Sequence, residues 1–177
     1  MLRSVIALAA CAVLGSLSPS ASAQMVKSQV TASNGVIVDV NSDAFAGRSE
    51  YSAPDLKFGS QGGANGFAFV AKVRKGTVLG ALNVQGFIMY SGEWRFFKTA
   101  LFKGGDPVKY VRTDGKVGSC RYGCSLTESF QMEFTPAQIA AHTENGILSV
   151  QIRADSGDTA ILNIPVSYLV AVNELAK

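Results

Sequence analysis

Histidine is nearly absent from this sequence. The 177 residues include one histidine, His142, and only 16% of the residues are charged. A Ser-His-Asp assembly needs a histidine beside a positioned nucleophile, and the sequence marks none near His142. No cluster of His, Cys and carboxylate residues stands at metal-ligand spacing. The sequence therefore points to no cofactor and no metal, and it favours a protein that is not an enzyme.

Nucleotide-binding and thiol redox motifs are also absent. The glycines between residues 59 and 66 precede a strand pattern, and no Gly-Lys-Ser/Thr follows them, so a phosphate-binding loop is excluded. The spacing of Cys120 and Cys124 is one residue longer than C-x-x-C, which is the usual redox spacing. Ser125 follows the second cysteine where haem attachment requires histidine.

A hydrophobic run long enough to cross a bilayer is missing as well. The apolar run over residues 4–17 follows Arg3 and is shorter than the roughly 20 residues that a transmembrane helix needs. A small-x-small cleavage pattern ends at Ala23. The sequence predicts a bacterial secretory signal peptide over residues 1–23, cleaved after Ala23, and one domain over residues 24–177, located in the periplasm or the medium.

A lipid anchor at Cys11 is the alternative to simple cleavage. The residues that end at Cys11, Leu-Ala-Ala-Cys, resemble a lipoprotein cleavage box. The apolar run continues past this cysteine, where a processed lipoprotein would carry a polar tether. We therefore expect no lipidation and no transmembrane anchor after processing.

The two cysteines that remain after such processing are Cys120 and Cys124. An even number of cysteines in an exported protein favours a disulfide. The loop-entropy model assigns a five-residue loop only about 2 kcal/mol of stabilisation, so the bridge would hold a local turn. A thiol redox or metal centre at this pair is the alternative.

The charges are unevenly distributed along the chain. Residues 72–121 contain ten basic and three acidic residues, a balance of +7, whereas residues 122–177 contain two basic and six acidic residues, a balance of −4. Basic and acidic strands could neighbour each other on one solvated surface, or the basic stretch could contact an anionic envelope ligand or a protein. The candidates for contact with a ligand or partner are Arg95, Lys98 and Lys103, together with Glu128, which is described below. Export makes nucleic acid an unexpected partner.

The mature chain shows mostly strand and turn patterns. Apolar and polar residues alternate from Leu126 to Phe134 with a period of two, as in a half-buried antiparallel strand. Further strands are predicted over residues 36–40, 67–73, 79–90, 94–102, 108–111, 147–154 and 159–164, with a loop over residues 41–65. The pattern predicts an all-β fold, mainly an antiparallel β-sandwich or open barrel.

Two short helices complete the predicted fold. Thr135 can cap the first helix, Pro136 suits its first turn, and Gln138 completes a capping box. Gly146 is its predicted end. The second helix is predicted from Ser167 to the C-terminus, where apolar residues recur at helical spacing.

Glu128 breaks the pattern of the clearest strand, because it occupies the apolar face. A buried carboxylate is costly unless it is paired or hydrogen-bonded. Glu128 could pair with an arginine, or it could be a polar group at the mouth of a pocket.

The sequence therefore predicts an exported, non-enzymatic protein of binding or envelope-accessory type, whose ligand it does not identify. A hydrolase that uses Glu128 and a thiol redox or metal protein at Cys120 and Cys124 are the two alternatives.

Overall fold

The computed structural model describes residues 25–59, 63–118, 120 and 124–177. The described part is mostly antiparallel β-sheet with two short helices, which confirms the predicted all-β fold. The elements are β1 Met25–Thr31, β2 Ile37–Asp43, β3 Arg48–Ser52, β4 Leu56–Gly59, β5 Asn65–Lys75, β6 Val78–Leu79, β7 Asn83–Ser91, β8 Phe97–Phe102, β9 Pro107–Val117, β10 Ser125–Glu133, α1 Pro136–His142, β11 Thr143–Glu144, β12 Ile147–Ala154, β13 Thr159–Pro165 and α2 Val166–Leu175.

The predicted signal peptide, including Cys11 and the cleavage site at Ala23, lies outside the described residues, so its existence stays a prediction. Among the residues that the structure describes, no helix is both long enough and apolar enough to cross a membrane.

The strands form one hydrogen-bonded path in the order β1-β2-β3-β5-β7-β10-β9-β8-β12-β11, with β4 and β6 joined to β5 and β13 joined to β12. Two long strands change partners along their length. β5 pairs with β4 at its start and with β3 at its end, while β9 pairs first with β8 and then with β10. β13 lies beside β4 although the two are distant along the path, so the sheet curls around its core.

The core forms where the alternating faces of these strands meet. On β10, the residues of the apolar face are buried and those between them are only half-buried, as the period-two pattern predicts. The largest fully buried apolar side chains include Phe97, Phe130, Ile88, Met132, Leu148, Ile152, Leu162 and Ile164.

The predicted loop over residues 41–65 is wrong, because it contains β3, β4 and the end of β2. In β3 only Tyr51 is buried, and the strand is otherwise polar. No strand is predicted over Met25–Thr31 either, where all seven residues of β1 are exposed. Strands near the edge of the sheet cover little core, so they lack the apolar alternation that marks a strand in a sequence.

Three strand boundaries also differ from the prediction. The strand predicted from residue 94 begins at Phe97, because Phe96 adopts a left-handed backbone with φ of 57°. The strand predicted to end near residue 111 continues to Val117. The strand predicted over 79–90 is interrupted after Leu79, where the N–H of Gly80 donates to the carbonyl of Val73 at 2.7 Å.

The capping box of α1 is confirmed: the Thr135 hydroxyl accepts from the N–H of Gln138, and the Gln138 side chain accepts from the N–H of Thr135. The helix ends at His142 rather than near Gly146, because the next two residues pair with β12 as β11. The C-terminal helix is also confirmed, with Leu169, Ala171 and Val172 buried.

Candidate functional site

Glu128 lies in the core, as the β10 pattern predicts, with a side chain that is 1% exposed. Its Oε2 atom forms an ion pair with Nε of Arg112 at 2.7 Å and accepts a hydrogen bond from the N–H of Phe97 at 3.1 Å. Its Oε1 atom accepts from the N–H of Phe96 at 3.0 Å and from the hydroxyl of Tyr90. Three hydrogen-bond donors and the Arg112 guanidinium therefore satisfy both oxygens of the carboxylate.

The groups around Glu128 form a compact polar cluster inside an aromatic shell. Burial raises the pKa of Tyr90 to about 12, and the Glu128 carboxylate adds to that rise. Burial also raises the pKa of Tyr110, whose hydroxyl donates to the carbonyl of Phe97 at 3.2 Å. The Arg112 guanidinium lies over the Trp94 ring, 5.3 Å from its centroid.

This cluster holds a strained segment of backbone. Two of its donors are the N–H groups of Phe96 and Phe97, which flank the point where the chain enters β8. A left-handed backbone is unfavourable for phenylalanine and persists only where its surroundings impose it. The Phe96 carbonyl also accepts from the N–H of Asp155 at 3.2 Å. The geometry therefore gives Glu128 a structural role as the anchor of residues 94–97.

The three basic contact candidates each have an acidic neighbour. Arg95 lies 3.4 Å from Asp158 with its side chain 15% exposed, and its guanidinium lies 4.7 Å from the Tyr90 ring centroid. Arg95 is therefore largely covered, whereas the side chains of the two lysines are exposed.

Lys98 pairs with Asp155, and Lys103 with Glu144 at 2.5 Å, with the lysine side chains 58% and 69% exposed. Ion pairs this exposed contribute about 0–1 kcal/mol and open readily. Basic and acidic segments therefore neighbour each other on a solvated surface, which was one of the two interpretations of the uneven charge.

Cys120 and Cys124 lie within disulfide distance, with their Cα atoms 4.0 Å apart. The residues between them are outside the described part of the chain. Across residues 25–59, 63–118, 120 and 124–177, no group of three or more His, Cys, Asp or Glu residues could hold a metal ion.

His142 ends α1 and packs against the core. Its ring stacks on Phe102 with centroids 4.2 Å apart, and Nε2 lies 3.4 Å from Oδ2 of Asp106. These contacts give the histidine a packing role at the end of the helix.

A separate feature is an apolar groove of about 920 Å³ between α1, α2 and the residues that connect β6 to β7. Its apolar lining includes Leu82, Phe134, Ile139, Val166, Leu169 and Val170. Segments far apart in the sequence supply this lining, so the sheet and both helices must assemble before the groove exists.

Lys72 on β5 lies in the wall of this groove and is 8% exposed. Its Nζ atom donates to Oδ1 of Asn173 on α2 at 2.7 Å. Burial lowers the pKa of Lys72, and the positive charge of Lys177 lowers it further.

Hydrogen bonds hold α2 beside this lysine. Both the hydroxyl and the N–H of Ser33 donate to the carboxylate of Glu174, at 2.6 and 3.2 Å. The side-chain amide of Asn34 donates to the carbonyl of Ser167 at 2.9 Å. The turn between β1 and β2 therefore fixes both ends of the helix that forms one side of the groove.

In the sequence, the charge count places Lys72 only at the start of the basic stretch over residues 72–121. A sharper signal was present, because Lys72 continues the face of β5 that carries Ala68 and Val70, which are both buried. Lys72 on β5 therefore resembles Glu128 on β10, because each charged residue occupies a position where the period-two pattern predicts an apolar one.

Comparisons with protein-family models, with curated proteins and with solved structures find no match for this chain. The class of the protein therefore rests on its own features: it is an all-β protein with an apolar groove beneath two short helices.

Proposed function

We propose that this chain is an exported, non-enzymatic binding protein that holds an apolar small molecule in the groove between α1 and α2. The observation that carries the proposal is the groove itself, about 920 Å³ in volume and lined mainly by apolar side chains. Binding pockets for small molecules typically have volumes of roughly 300–1,000 Å³, with apolar walls and a few polar groups.

The polar groups of the groove favour binding over catalysis. Lys72 is engaged by Asn173, and the carboxylate of Glu174 is engaged by Ser33. The lining contains no histidine or cysteine, so it offers no His or Cys nucleophile–base pair. Together with the predicted signal peptide, this favours a ligand carrier or sensor in the periplasm or the medium.

The experiment is a fluorescence titration with Nile red, an uncharged dye whose emission reports an apolar environment. Ala140 on α1 lines the groove, whereas Ala137 on the same helix does not, and both are exposed. Ala140→Trp should fill the groove and weaken dye binding about tenfold or more, because the indole occupies the site. Ala137→Trp adds the same side chain to the same helix and should leave binding unchanged.

Equal binding by wild type and Ala140→Trp, with both proteins folded by circular dichroism, would show that the dye does not enter the groove. The proposal would then be abandoned.

The exposure of Lys98 and Lys103 favours a second candidate function, contact with an anionic envelope ligand. Binding to vesicles that contain anionic lipid should then weaken with added salt and with Lys98→Glu plus Lys103→Glu. If neither salt nor charge reversal affects binding, these lysines are not the contact.

A further inference from the structure

We propose that the ligand of the groove is an amphiphile with one apolar chain and one carboxylate, and that Lys72 binds the carboxylate. This inference rests on the proposed function and names the class of its ligand. The juxtaposition that carries it is a lysine, 8% exposed, in the wall of an otherwise apolar groove.

Lys72 has no acidic partner among the described residues. Its side-chain hydrogen bond goes to the neutral amide of Asn173, and no carboxylate of the described chain lies within ion-pair distance. The other strongly buried ionisable side chain, Glu128, is paired with Arg112 and hydrogen-bonded on both oxygens. Burying a charge without a counter-charge costs free energy. An anion bound in the groove would reduce this cost by pairing with the Lys72 ammonium.

Three charged side chains line this end of the groove. Lys72 and Lys177 are cationic and Glu174 is anionic, and all three line the groove. The Glu174 carboxylate accepts two hydrogen bonds from Ser33, and these bonds lower the pKa of Glu174 and keep it ionised. Glu174 is therefore held by Ser33 and forms no ion pair with Lys72, which leaves the Lys72 ammonium available to an anion.

The Lys72 ammonium also has the donors that a carboxylate needs. A lysine ammonium carries three N–H groups, and Asn173 accepts one of them. The remaining donors can reach an acceptor in the groove, while the apolar chain of the ligand packs along the side chains of α1 and α2, such as Ile139 and Leu169. Charge-assisted hydrogen bonds of this kind are about twice as strong as neutral ones.

The experiment compares three ligands with the same twelve-carbon chain by isothermal titration calorimetry, below the micelle concentrations of the two ionic ligands and below the solubility limit of the uncharged one. The ligands are dodecanoate, dodecanol and dodecyltrimethylammonium. The wild-type protein should bind dodecanoate about 10- to 100-fold more tightly than dodecanol. The free energy of a hydrogen bond to a charged group corresponds to a change of this size in the dissociation constant. The cationic ligand should bind most weakly.

Lys72→Met substitutes an unbranched side chain that is one heavy atom shorter and carries no charge. It should weaken dodecanoate binding to the level of dodecanol and leave dodecanol binding unchanged, whereas Lys72→Arg should retain the preference for the anion. Lys75→Met is the matched control, because Lys75 lies on the same strand, is exposed and does not line the groove. The wild-type comparison of the three ligands decides the question even if a Lys72 variant does not fold.

Equal affinity of the wild type for dodecanoate and dodecanol would overturn the assignment of Lys72 while leaving the groove as an apolar binding site. A preference for dodecanoate that survives in folded Lys72→Met would also overturn it. Failure of all three ligands to bind, together with failure of Nile red, would instead reject the proposed function.

Discussion

The Nε atom of Arg112 lies 2.7 Å from Oε2 of Glu128, and this ion pair joins a partly exposed guanidinium on β9 to a fully buried carboxylate on β10. The sheet makes room for this pair. Glu128 lies opposite Gly115 in the ladder, and the register shifts between Ser129 and Phe130. A Cβ atom at Gly115 would collide with Nη2 of Arg112, so glycine there leaves space for the guanidinium. The ion pair with Arg112 on the neighbouring strand thus offsets the cost of burying the Glu128 carboxylate on the apolar face.

Glu128→Gln should destabilise the protein by about 3 kcal/mol or more. The amide leaves the Arg112 charge without its partner, and its NH2 group faces donors that the carboxylate accepted, including the Tyr90 hydroxyl. Urea unfolding followed by circular dichroism measures the change. Glu133→Gln on the same strand removes an exposed pair with Lys109 and should cost less than about 1 kcal/mol. Equal effects of the two substitutions would contradict the role assigned to Glu128.

The stability of the protein should fall as the pH rises above 10. The pKa of Tyr90 is raised from 10.0 to about 12 by burial. Between pH 10 and about 12, the unfolded chain releases the phenolic proton while the folded chain retains it. The free energy of unfolding therefore decreases as the pH rises. Tyr90 should contribute a measurable part of this loss of stability. Urea titrations at several pH values measure the slope.

Tyr90→Phe should make that alkaline slope shallower, although the raised pKa of Tyr110 will maintain part of it. Tyr168→Phe lies outside the Glu128 cluster and serves as the control. An unchanged slope in Tyr90→Phe would show that another group causes the alkaline loss of stability.

Gly86→Ala should destabilise the protein by about 1–3 kcal/mol or more, because the centre of β7 has no space for a methyl group. A Cβ atom there would lie 2.8 Å from the Phe130 ring and 2.9 Å from Cβ of Ala68, and it would collide with the carbonyl of Phe67. At Gly59 the nearest atom would lie 3.7 Å away, so Gly59→Ala should change stability by less than about 0.5 kcal/mol. Thermal and urea unfolding of both variants test this difference.

Reduction of the Cys120–Cys124 pair should lower the free energy of unfolding by about 2 kcal/mol and leave the fold intact, because the bridge closes a short loop. Thiol titration of the native purified protein should detect no reactive thiol at these positions. The double variant Cys120→Ser, Cys124→Ser should match the reduced protein and should not respond to a reductant. Reactive thiols or bound metal in the native protein would instead favour the redox or metal alternative.

The sequence by itself determined the elements whose evidence is local. The alternation along β10 predicts which of its residues are buried, because successive side chains of a strand point to opposite faces. Thr135 and Gln138 predict the start of α1, because a capping box satisfies its own backbone groups within four residues. The same local patterns placed Glu128 on an apolar face before any partner was known.

Only the tertiary structure decided what these residues contact. The partner of Glu128 comes from β9 across a shifted register, and Phe96 adopts its left-handed backbone because that carboxylate holds the adjacent N–H groups. Lys72 meets Asn173 across 101 positions of sequence. A buried charge requires a partner, but periodicity does not say which distant residue will supply it. The partner depends on how the strands pair and how the helices pack against them. This packing places Lys72, which belongs to the basic stretch of the sequence, in the wall of an apolar groove.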